Sequence, residues 1–160
     1  MEPILKVGYG ERLHSATKLA ALFEALFEEG IPPAEALRGV ELQAEDLHQP
    51  ATRVSINQMV EACRNAMRLS ADPHLAFKVG SSIHFSAYGL FGYAMLCGTD
   101  FRKTMELAVR YHPLATPLTT ISFEESQSCA KWVIAPLPHP RMDGALYQFV
   151  TESASELAKS

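Results

Sequence analysis

The chain predicts an α+β fold, on three observations. Apolar residues recur with a helical period through roughly the first two-thirds of the sequence, the period drops to two after Pro117, and it becomes helical again from Asp143. Helices, then an antiparallel strand pair, then a helix, with no strand–helix–strand alternation, make an α+β order.

In chain order, "SATKLAALFEALFEEG" puts Leu19, Leu22, Phe23, Leu26 and Phe27 on one helical stripe, with Ser15 as N-cap, Gly30 as stop, and Lys18, Glu24 and Glu28 opposite. "PPAEALRGV" opens with prolines and ends at Gly39, which suits one short helix, and "AEDL" predicts a turn before Pro50. Ser55 and Gln58 have capping-box spacing, ahead of a stripe of Ile56, Met59, Val60, Cys63 and Met67. "DPHLAFKVG" predicts a helix capped by Asp72, with Pro73 in its first turn and Gly80 closing it; "SSIHFSA" then reads as a linker.

The run from Ala87 to Phe101 carries no charge before Asp100. Its small residues allow close approach and its large ones fill space, so it predicts a buried helix. "TDFRKTMELAVRYHP" predicts a helix opened by Thr99 or Asp100 and ended before Pro113. Ile121 and Phe123 alternate on a first strand and Ala130, Trp132 and Ile134 on a second, with "EESQS" as the turn. After "LPHPRM", the segment from Asp143 places Leu146, Phe149, Val150 and Leu157 roughly in phase. That helix reaches the last residue with no stop signal, which predicts a polypeptide continuing past Ser160.

A chain of 160 residues with 48% apolar and 20% charged composition fits one globular domain, residues 1–160, that needs no staples. The net charge of −4 offers no electrostatic footprint for nucleic acid. Cys63, Cys97 and Cys129 are scattered without metal-ligand spacing and read as reduced core cysteines of a cytoplasmic protein. No secretory leader is legible, and no run reaches the about 18 apolar residues that cross a bilayer, so no membrane partner is expected.

Each chemical motif meets a simpler structural reading. Gly89 and Gly92 make a GxxG, but no Lys or Arg lies between Lys78 and Arg102 to hold a phosphate backbone. Ser15 to Lys18 match S-x-x-K without the companion motifs of acyl-transferring enzymes, and a helix cap explains Ser15. None of His14, His48, His74, His84, His112 and His139 pairs with another at helical spacing, so no metal site is expected. His112, ending an apolar helix, is a candidate haem ligand; a favourable position against the helix dipole explains it equally. Acidic residues such as Glu24, Glu28, Glu29, Glu45 and Asp46 fall on polar faces, and no pair is placed for acid–base work. Neither catalysis nor a cofactor is predicted.

Several segments together resemble a known family. "LAALFEALFEEGIPPAEALRGVELQAEDLHQPATRVSINQMVEAC" carries Leu47, Pro50, Arg53 and Val54 ahead of a long helix, and "DPHLAFKVG" follows. "YGLFGYAMLCGTDFRKTMELAVRYHPL" adds Gly89, Gly92, Tyr93, Ala94, Thr99 and Tyr111. These are similar to the N-terminal effector-binding domain of AraC-type transcriptional regulators, departing at Tyr88, where an aliphatic residue is usual, and at Asp100–Phe101. The resemblance implies a small-molecule sensor that forms homodimers, with DNA bound through a downstream helix-turn-helix domain not contained in these 160 residues.

On that reading the effector sits among the glycine-containing helix, the Phe101 to His112 helix and the Trp132 strand. The candidate ligand-binding residues are Phe85, Tyr88, Tyr93, Tyr111, His112 and Trp132, which combine apolar walls with a few polar tips. Ordinary core packing is the competing reading for each. Two other functions stay open: a haem or gas sensor using His112, and a dimerisation module without an effector.

Overall fold

The computed structural model describes residues 8–84 and 88–157, and it is an α+β fold. Two-residue strands β1 (His14–Ser15) and β2 (Arg53–Val54) pair antiparallel and bracket helices α1 (Thr17–Glu28) and α2 (Pro33–Ala36) and a 3-10 turn at Ala44–His48. Then come α3 (Ile56–Leu69), α4 (Leu75–Ser82), α5 (Leu90–Leu96) and α6 (Phe101–Ala115). An antiparallel hairpin of β3 (Thr119–Glu125) and β4 (Ala130–Pro136) leads to α7 (Gly144–Leu157).

The main core lies between α1, α3, α4 and α7, where Leu22, Leu26, Met59, Val60, Val79, Leu146 and Phe149 are buried. The capping box forms as spaced: Gln58 N–H donates to Ser55 Oγ at 3.2 Å and Ser55 N–H to Gln58 Oε1 at 3.0 Å. The buried polar groups of α3 pin the segment after α2. Asn65 donates to the carbonyls of Ala36 and Arg38 at 2.9 and 2.8 Å, and Gln58 Nε2 to that of Val40 at 2.7 Å. Loop carbonyls that burial would strip of water are thereby satisfied.

Several local expectations are corrected. Ser15 pairs with Arg53 in β1 instead of capping α1, whose N-cap is Ala16. Phe27 is exposed, because it lies about 90° round the helix from the centre of the Leu19–Leu26 stripe. Gly80 does not end α4. It sits buried inside the helix where a Cβ would come 2.3 Å from the Ser153 carbonyl, so its missing side chain lets α4 and α7 touch.

Pro113 lies within α6, which runs on to Ala115; proline forfeits one backbone hydrogen bond there without stopping the helix. Asp100 is the N-cap, accepting from Lys103 N–H at 3.0 Å. Cys63 alone is a core cysteine; Cys97 ends α5 and Cys129 lies in the hairpin turn, both exposed.

The largest correction concerns the apolar run. It forms α5 as a helix, yet Leu90 is 89% exposed and Tyr93 and Leu96 are also out in solvent, with only Gly92 buried. Helix α5 packs on α6 at the hairpin end of the molecule, away from the main core. Gly89 begins it at φ 57, ψ −133, a conformation open to glycine and not to other residues.

Candidate functional site

Where α5 and α6 lie over the hairpin they leave a cavity of about 420 Å³. This lies within the roughly 300–1,000 Å³ usual for small-molecule sites. Three periodicities build its wall. Phe91 and Met95 are one turn apart on α5; Met105, Ala108 and His112 share a face of α6; Trp132 and Ile134 alternate on β4, with Ile121 opposite Ile134 across the ladder. Tyr88, Thr116 and, from α7, Ala154 complete it.

Polar chemistry in this wall is concentrated at His112. Although α6 ends at Ala115, the ring is buried, and Thr116 Oγ1 lies 2.7 Å from Nδ1 and Thr119 Oγ1 2.9 Å from Nε2. Helical geometry brings Thr116 one turn from His112, and Thr119 begins the strand that folds back beneath it. Both ring nitrogens are engaged, so axial ligation of a haem would have to break one of these contacts; that geometry argues against the haem reading. The Tyr88 phenol is pushed up from its ordinary value by burial and stays protonated at neutral pH. Among the described residues no cluster of His, Cys, Asp or Glu could hold a metal ion.

The structure brings three of the candidate residues together. Tyr88, His112 and Trp132 line the cavity. Tyr93 points to solvent on α5, and Tyr111, 40% exposed, stacks under the Arg110 guanidinium at 5.6 Å. Phe85 lies outside the described residues. The remaining wall residues, Phe91, Met95, Met105, Ala108, Thr116, Ile121, Ile134 and Ala154, are not among the candidates the sequence offers. The Met105–Ala108–His112 spacing was the available signal, since it marks the face of α6 that turns from the solvent. Tyr88 and Thr116 also border a smaller cavity of about 70 Å³ that reaches toward Met59, Val79 and Phe149 in the main core.

The family model that describes the arabinose-binding domain of AraC transcription regulators, N-terminal, matches residues 30–157. Uncharacterised HTH-type transcriptional regulators of Mycobacterium bovis and of Mycobacterium tuberculosis are each 33% identical over 119 residues, covering 72% of this chain and 34% of theirs. The ornithine utilization regulator of Pseudomonas aeruginosa is 26% identical over 92 residues, covering 58% of this chain and 27% of its own. The chain thus spans about a third of the length of the curated relatives it matches.

Proposed function

Because the chain belongs to the family of N-terminal arabinose-binding domains of AraC transcription regulators, we propose that it senses a small-molecule effector held in the cavity between α5, α6 and the hairpin. The observation that carries this reading is the cavity itself: apolar walls around one buried imidazole–hydroxyl cluster, the composition of a ligand site. It also favours sensing over a dimerisation module without an effector. The work is recognition, not catalysis, and it is done in the cytoplasm beside the DNA.

Mechanistically, an effector acts only through the difference in its affinity for two arrangements. Helix α5 has Leu90, Tyr93 and Leu96 in solvent and presents Phe91 and Met95 to the cavity. A ligand seated there adds contacts to α5 and α6 together and favours the arrangement that keeps both closed on the hairpin. DNA reading falls to a helix-turn-helix segment beyond these residues, and the net charge of −4 fits a module that does not itself grip DNA. Self-association belongs to the same reading, supported by Leu90, Leu96 and Phe101, which lie 89%, 62% and 62% exposed. Sedimentation that finds only monomers up to high protein concentration contradicts that part.

The site is tested by thermal unfolding against a library of small metabolites. A compound that stabilises the chain is expected to lose its effect when Ala108→Phe fills the cavity, and to keep it with Tyr111→Ala, which changes the surface. Stabilisation that survives Ala108→Phe in a folded variant places the effector elsewhere.

A further inference from the structure

Resting on the reading of the cavity as the effector site, we propose that its ligand class is an uncharged, mainly apolar molecule carrying a single hydrogen-bonding group. None of the described lining residues is Asp, Glu, Lys or Arg, since the wall is built from Tyr88 and Phe91, two alanines, two isoleucines, two methionines, Trp132, Thr116 and His112. The neighbouring Phe85, Ser86 and Ala87 have no charged side chain either, and from Val79 to Thr99 the sequence contains no Asp, Glu, Lys or Arg. A carboxylate or ammonium entering such a wall gives up its hydration without meeting an opposite charge. A sugar is excluded by a different count. It brings a hydroxyl on nearly every carbon, while the polar groups here are few: His112 and Thr116, 2.7 Å apart, the Tyr88 phenol and the Trp132 indole N–H. Most of its hydroxyls would face Met95, Met105, Ile121 and Ile134 with nothing to bond.

What the wall does suit is a hydrocarbon or aromatic body. Phe91 and Tyr88 stand edge to face with centroids 6.4 Å apart, and the two thioethers are soft, adaptable partners for a ring. One hydroxyl or N–H group on that body can donate to Thr116 Oγ1, a hydroxyl oxygen with two acceptor lone pairs, and leave both ring nitrogens of His112 with their threonine partners. The family's sugar-derived description therefore does not extend to the chemistry of this cavity.

Trp132 is the chain's one tryptophan and part of the wall, so its emission reports occupancy. The probes are 4-phenylbutan-1-ol, 4-phenylbutyrate and 4-phenylbutylamine, which share one body and differ in the charge of the end group, together with L-arabinose. The alcohol is expected to shift Trp132 emission with half-saturation about tenfold or more below that of the acid and the amine, while arabinose has no effect. Ala108→Phe and, separately, Ile134→Phe are expected to abolish the alcohol's signal. If the acid, the amine or arabinose binds as well as the alcohol and filling the cavity still abolishes the signal, the ligand class is wrong and the site stands. If the alcohol's effect survives both filling variants, the site itself is wrong. An alcohol that leaves the emission unchanged up to its solubility limit also overturns the ligand class.

Discussion

His139 occupies a position that only a neutral ring can hold. It is 5% exposed, it stacks against Tyr9 with centroids 4.5 Å apart, and its Nε2–H donates to Asn57 Oδ1 at 3.0 Å while Nδ1 accepts from the Arg141 backbone N–H at 3.1 Å. Burial, and then the positive charges of Arg141 and Arg64, hold its pKa below the ordinary value. The unfolded chain therefore binds this proton more readily than the folded one. Stability from His139 is complete above about pH 6.5 and declines as the pH falls through that value toward the lower folded pKa. Urea midpoints measured at about pH 7.5 and about pH 5.5 should drop more for the natural chain than for His139→Gln. Equal drops would show that the ring does not carry the pH dependence. The same residue shows a limit of reading the sequence, where His139 was one scattered histidine among six. Its partner Asn57 is 82 positions away, and only the folded chain brings them together.

Among the elements, those specified by neighbours in sequence were legible and those specified by packing were not. The Ser55–Gln58 box spans one turn and reads directly from spacing, whereas the α6 cap reads only as Thr99 or Asp100 and the fold selects Asp100. Glycine usually breaks a helix, so Gly80 reads locally as a terminator. In the fold it is the point where α4 meets α7, a fact held by Ser153 and invisible locally. Gly80→Leu is expected to cost about 1–3 kcal/mol or more by forcing the two helices apart. Gly144→Ala, at a position with nothing within 4 Å, should lie within about 1 kcal/mol of the natural chain. Denaturant unfolding of the pair checks this, and a harmless Gly80→Leu would mean the contact is not tight. Helix α5 failed for a related reason. Apolar composition predicts burial, but Leu90, Tyr93 and Leu96 face outward while Phe91 and Met95 turn to the cavity, so this seven-residue helix is apolar on both sides and its composition does not mark the inner one.

Across the described residues, a helical core built from α1, α3, α4 and α7 carries a more exposed end formed by α5, α6 and the hairpin. Helix α7 touches both, packing on α4 and on β4, and Ala154 reaches the cavity from it. No described helix is long and apolar enough to cross a membrane. The sequence showed which elements frame the cavity but not which of their faces turn inward, which is why three of the six candidate residues line it and Tyr93 and Tyr111 do not. The methionines allow the site to be located without a mutation. Met95 and Met105 line the cavity, whereas Met67 and Met142 lie away from it. With methyl-labelled methionine, saturating 4-phenylbutan-1-ol should move the Met95 and Met105 resonances and leave those of Met67 and Met142 in place. Unmoved Met95 and Met105 signals under a ligand that raises the unfolding temperature would contradict an effector site between α5, α6 and the hairpin.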